Sequence, residues 1–216
     1  AYSKGGMCVY FPNGVYLTQS LNLKDNVSLC GASRYNSRLV LKGGAINPLI
    51  TGSCSNNEIS RMTLDGNADI QVNNIDNIVM TGSNYIFDSL ILNDGYNLLT
   101  LNSTVGNIQL NDIVFNRCTV KGLVVTGNGT ITGNNLQFNS VSAVYGNCCL
   151  DITSNNTIFE NVHSIATTPT AIRITGNKNK VTATIENAIN DIEINGNNNC
   201  VINNGKTISE NISGNK

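Results

Sequence analysis

A five-residue phrase returns six times between residues 78 and 196, and it constrains the fold more than any other feature of the chain. Its copies are Ile78-Val-Met-Thr-Gly82, Leu99-Thr-Leu-Asn-Ser103, Leu123-Val-Val-Thr-Gly127, Leu150-Asp-Ile-Thr-Ser154, Ile172-Arg-Ile-Thr-Gly176 and Ile192-Glu-Ile-Asn-Gly196. Each reads apolar, variable, apolar, Thr or Asn, Gly or Ser. The fourth positions lie 21, 24, 27, 22 and 20 residues apart. Apolar residues spaced by two fit a strand and no helix. A period of twenty-odd residues built on short strands predicts stacked coils. The fold class is therefore all-β, a single-stranded parallel β-helix running through residues 1–216 as one domain.

A second strand follows each phrase: Met62-Thr-Leu-Asp65, Leu90-Ile-Leu-Asn93, Ile113-Val-Phe-Asn116, Leu136-Gln-Phe-Asn139, Val162-His-Ser-Ile165 and Ile185-Glu-Asn-Ala188. Between phrase and second strand the sequence predicts a Gly/Asn-rich turn, such as Gly176-Asn-Lys-Asn. A third strand is expected in longer connections such as residues 141–147. Asn occurs 38 times, which suits corners that repeat on every coil, because Asn tolerates left-handed backbone and offers both donor and acceptor.

Stacking aligns equivalent residues into columns. Leu92, Phe115 and Phe138 form a core column. Asn93, Asn116 and Asn139, with Asp65 below, form a buried structural amide ladder. The outward position of the phrase gives Val79, Thr100, Val124, Asp151, Arg173 and Glu193, a charge ladder or a strip for sugar hydroxyls and uronic carboxylates, with Arg173 as the anion contact. The outward position of the second strand gives Thr63, Ile91, Val114, Gln137, His163 and Glu186. Glu186 is expected one coil above His163, the chain's one histidine, and the pair would serve as a general base. The candidate catalytic residues are Asp112, His163 and Glu186; the candidate substrate-binding residues are Gln137, Asp151, Arg173 and Glu193. Asp88 and Asp112 are 24 residues apart, but they fall at different points of their strands. Ile91 and Val114 indicate a face partly covered by a loop or a neighbouring chain.

A net charge of −1 with no basic stripe argues against nucleic acid. No apolar run approaches a membrane span. Seven cysteines show no zinc-finger spacing, so no metal or cofactor is expected. Cys8 and Cys30, 22 residues apart, are expected to stack as small buried residues.

Gly5-Gly-Met-Cys-Val-Tyr-Phe-Pro-Asn-Gly-Val-Tyr16, with Leu21-Asn-Leu-Lys-Asp-Asn-Val-Ser-Leu-Cys-Gly-Ala-Ser33 and Ile59-Ser-Arg-Met-Thr-Leu-Asp-Gly-Asn67, resembles the opening of the pectate-lyase-like right-handed β-helix superfamily. The resemblance is specific over residues 5–67 and architectural beyond. It implies a right-handed helix and a piece of a longer chain, because the capping helix of such proteins would end where Ala1 begins. It also implies a polysaccharide partner and a virion or extracellular-surface location, as in the tailspikes and appendages of bacteriophages, with a trimer as the expected assembly. The superfamily's polygalacturonase and epimerase motifs are absent, and acids are scattered singly rather than clustered for calcium. Two other functions stay open, a non-catalytic structural rod and a secreted bacterial polysaccharide lyase.

Overall fold

The computed structural model describes residues 6–103, 106–127, 130–139, 148–165, 170–188, 190–203 and 210–212. All strand pairs in it are parallel. Each coil described in full carries three short strands, and equivalent strands stack into three sheets. Sheet 1 is followed through the partners Val9, Leu29, Ile59, Phe87, Leu110, Gly133, Phe159, Val181 and Val201, nine stacked strands. Sheet 2 runs through Tyr16, Leu39, Leu64, Leu92, Phe115, Phe138, Ser164 and Ile185. Sheet 3 holds the repeated phrase, with Leu123, Leu150, Ile172 and Ile192 in register.

Sheet 1 corrects the sequence reading. Where a turn is expected between phrase and second strand, every coil has a strand, for example the Tyr85–Asp88 stretch that pairs with Ile108 to Asn111. Residues 141–147 lie outside the described residues.

One left-handed residue turns the chain from sheet 1 into sheet 2. Arg61, Ser89, Asp112, Asn135 and Asn161 hold φ between 52° and 58° on successive coils. Asn26, Asn56, Asn84, Asn156, Lys178 and Asn198 do the same between sheets 3 and 1. L-residues disfavour this region, and Asn pays least among those with a Cβ; hence the Asn content. The eighth coil lacks the corner residue: Phe159 pairs with Val181, but Val162 pairs with Ala183. Consequently His163 sits beneath Thr184 rather than Glu186.

The interior holds one continuous apolar cluster, with Leu92, Phe115 and Phe138 fully buried as expected. The rings of Phe115 and Phe138 stack at 4.5 Å and 8°. The amide ladder also forms: Asn116 Nδ2 donates to Asn93 Oδ1 at 3.1 Å, and Asn139 Nδ2 to Asn116 Oδ1 at 2.6 Å. It is half-buried on the outer side of sheet 2, because strand alternation sends the neighbours of the core column outward. Asp65 lies in register beneath Asn93 but spends its carboxylate on Arg38 and on the Asn67 amide. Cys8 and Cys30 do not stack; Cys8 pairs with Ser28, and Cys30 with Tyr10.

Candidate functional site

The phrase's outward column is as the sequence predicts, and it gathers three of the candidate binding residues. Asp151, Arg173 and Glu193 align on successive coils. Arg173 Nε contacts Glu193 Oε2 at 3.0 Å, and Arg173 Nη1 lies 3.9 Å from Asp151 Oδ2. Lys121, which the sequence reading passed over, pairs with Asp151 Oδ2 from one coil below. Asp151 is buried between these two cations. Beside it, burial and then the Asp151 charge push the Cys148 thiol up to about 12. Two cations and two anions balance in charge here, all through Asp151 Oδ2 and Glu193, while Asp151 Oδ1 is buried without a hydrogen-bond partner.

Gln137, His163 and Glu186 meet on sheet 2. Gln137 pairs with His163 in register. Glu186 lies diagonally, yet its Oε1 reaches His163 Nε2 at 3.2 Å. Gln137 Nε2 donates to Asn139 Oδ1 at 2.7 Å. The His–carboxylate pair is therefore present despite the shifted register. Asp112 is not part of it. It is a corner residue on a lower coil, where Asn135 Nδ2 donates to its Oδ1 and Arg34 Nη1 to its carbonyl at 3.4 Å. Arg34 belongs to the loop of residues 32–36, whose carbonyl also accepts the Thr63 hydroxyl. That loop covers the lower end of the column, where Thr63 is buried.

A third surface was illegible in the sequence because its sheet was. A groove of about 240 Å³ opens where sheet 3 turns into sheet 1. Asn26, Asn56, Asn84 and Asn107 line it, one per coil, with Glu58 and Gln109. Asn56 Nδ2 donates to Asn26 Oδ1 at 3.2 Å, Asn84 Nδ2 to Asn56 Oδ1 at 3.1 Å, and the Asn107 amide to Asn84 Oδ1 at 3.2 Å. Each linked amide keeps hydrogen-bonding capacity beyond its ladder bond. These bonds tie the side chains of Asn26, Asn56 and Asn84 into a row, which the Asn107 backbone N–H closes at one end. Ile86 supplies an apolar wall. Glu58 is the single carboxylate among the described lining residues.

No protein-family model matches this chain, and no curated protein matches it. Solved structures do. The A-module of the Azotobacter vinelandii mannuronan C-5 epimerase AlgE6 superposes with a TM-score of 0.66 at 19 % identity, over 94 % of this chain and 68 % of that one. A pectin methylesterase in complex with a hexasaccharide gives 0.64 at 15 %, over 95 % and 83 %. Pectin methylesterase PemA from Erwinia chrysanthemi gives 0.63 at 14 %, over 95 % and 83 %. This chain is a right-handed parallel β-helix. Its fold is the one these structures share, the right-handed helix that the opening residues imply. At these identities the likeness establishes the fold, and the chemistry has to come from the β-helix's own side chains.

Proposed function

We propose that this β-helix binds a polysaccharide laid along its axis in the groove beside sheet 1. The observation that carries the reading is the row of amides, one per coil, at the parallel-strand spacing of about 4.8 Å. Amides both donate and accept, as sugar hydroxyls do, and a repeating row presents the same contact to each successive unit of a polymer. The amides of Asn26, Asn56 and Asn84 are already bonded to one another, so little of their rotamer freedom is lost on binding. The names of the structural neighbours, which refer to mannuronan, pectin and a bound hexasaccharide, support a carbohydrate ligand. The finer reading, a trimeric module of a phage tailspike, appendage or related surface protein, rests on the resemblance of residues 5–67.

Replacing both Asn56 and Asn84 by Gly keeps the left-handed corners and removes two amides. At about 0.5–1.5 kcal/mol per hydrogen bond, the double variant should bind roughly five- to a hundredfold more weakly. Affinity electrophoresis in polysaccharide gels reads this directly; unchanged mobility shifts would refute the groove as the site. A second reading is favoured by the 3.2 Å His163–Glu186 contact, a general base for cleavage on sheet 2. New reducing ends or absorbance near 235 nm that vanish in His163→Ala would establish it.

A further inference from the structure

The groove has a floor as well as an amide rim, and the floor carries charge. It is the outward column of sheet 1, where Glu58, Ile86 and Gln109 stack in register on successive coils. Glu58 is half-buried. Ser60 Oγ donates to its Oε1 at 2.7 Å, and no described lysine, arginine or histidine pairs with the carboxylate. Elsewhere the chain supplies such acids with a cation: Arg38 for Asp65, Arg117 for Asp94 and Lys121 for Asp151. The cations nearest to Glu58 along the chain face other places. Lys24 lines a separate depression beside Asp25, and Arg61 turns the corner on the far border of sheet 1. The outward positions of sheet 1 on these three coils are Glu58 and Ser60, Ile86 and Asp88, Gln109 and Asn111. Asp88 lies outside the groove, and the set contains two acids and no base.

We infer that the polymer bound in this groove is an amino polysaccharide, a chain of glucosamine type with a protonated amine against Glu58. The inference rests on the binding role proposed above and names the charge class of its ligand. A polymer laid over the floor takes water from the Glu58 carboxylate, and a charge that loses its solvation has to be compensated. A sugar hydroxyl offers it one neutral donor. An ammonium offers up to three donors and the opposite charge, and such charge-assisted bonds are about twice as strong as neutral ones. With the amine at Glu58, the hydroxyls are left to the amide rim. Ile86 gives a ring face an apolar seat, and Gln109 adds one more amide. A polyuronate would instead bring carboxylates against an anionic floor, a like-charge approach that this surface opposes.

Titration calorimetry on the full chain tests this with three oligosaccharides of matched length: a glucosamine oligomer at mildly acidic pH, the same oligomer fully N-acetylated, and oligogalacturonate. Acetylation removes the positive charge and keeps the sugar backbone, so the first two isolate the contribution of the amine. The expected result is at least about tenfold tighter binding of the amine form, weakened by added salt, with oligogalacturonate the weakest. Glu58→Gln keeps an oxygen for the Ser60 hydroxyl. It should lower affinity for the amine form about ten- to a hundredfold and hardly change that for the acetylated form. Glu160→Gln removes the same charge four coils further along sheet 1 and should leave all affinities unchanged. An equal loss in Glu160→Gln would mean diffuse attraction to an acidic surface and overturns the assignment. So does an acetylated oligomer or oligogalacturonate that binds as tightly as the amine form, or a preference that survives Glu58→Gln. In those cases weaker binding by the Asn56→Gly, Asn84→Gly double variant leaves the groove reading intact. No binding of any of the three overturns both. Urea midpoints matching the native protein's exclude misfolding as the cause of a lost affinity.

Discussion

The packing of Gly133 against Phe159 allows a quantitative test of the stacked-column model. Gly133 occupies an inward position of sheet 1, directly below Phe159 and above Leu110. A Cβ at Gly133 would come within 2.3 Å of Phe159 Cδ1 and 2.6 Å of its Cε1, far inside contact distance. The next nearest atom is Leu136 Cδ1 at 3.2 Å, also a side chain. Gly133 does not have a positive φ, so Ala costs nothing through backbone strain and the penalty is one of overpacking. Such insertions cost about 1–3 kcal/mol. Phe159→Ala removes a fully buried ring and should cost about 3–5 kcal/mol. Together the two changes relieve each other, because the new methyl enters space the ring has left. The double variant should therefore be less destabilised than the sum by about 1–3 kcal/mol. Urea unfolding followed by far-ultraviolet circular dichroism gives the three values, compared through transition midpoints at a common slope. Additivity within about 0.5 kcal/mol would show that the column does not couple the two residues, and the register between the sixth and seventh coils would have to be redrawn.

Two further expectations concern charge and protonation. Asp151 is buried and pairs with Lys121 and Arg173, both about a quarter exposed, so Asp151→Ala should cost about 2–3 kcal/mol, chiefly by leaving Lys121 uncompensated, since Arg173 keeps Glu193. By contrast, Glu160 and Lys180 are about half exposed at 3.4 Å, and Glu160→Gln should cost less than about 1 kcal/mol in the same urea assay. Burial pushes the thiols of Cys118 and Cys148 up to about 12 from 9.0. The folded state thus holds both protons more tightly than the unfolded chain. Their contribution to stability is complete below pH 9.0 and is lost as pH rises from there toward about 12. Iodoacetamide at mildly alkaline pH should label exposed Cys200 and spare Cys118 and Cys148 in the native protein. Labelling of the two buried thiols at the rate of Cys200, read by mass spectrometry, would contradict the burial of both side chains.

What the sequence discloses depends on how cleanly each sheet separates inside from outside. Sheet 3 repeats Leu or Ile at the first inward position of its phrase and Met, Leu, Val or Ile at the second, so its period can be read by eye and its outward column follows. In sheet 2 the core column Leu92, Phe115 and Phe138 is equally plain. The eighth coil is not, because the loss of one corner residue shifts the frame and makes Ile185-Glu-Asn-Ala188 look like a copy of Val162-His-Ser-Ile165 when Ser164 is the true partner of Ile185. Sheet 1 gives no such pattern. Its inward positions include Asn57, Gly133, Thr157 and Asn179, each with a specific duty. Asn57 Nδ2 bonds two carbonyls of the coil below, at 2.7 and 2.6 Å. Asn179 Oδ1 accepts the Thr157 amide at 2.9 Å. Polar residues that satisfy the turning backbone from within erase the alternation that announces a strand. The same residues that hide sheet 1 from a hydrophobic pattern also hold its corners rigid, and the amide-lined groove lies on one of those corners. A surface built to present fixed amides to a ligand is therefore the one that periodicity is least able to reveal, and inward Asn flanked by Gly or Asn corners is the signal by which it could have been found.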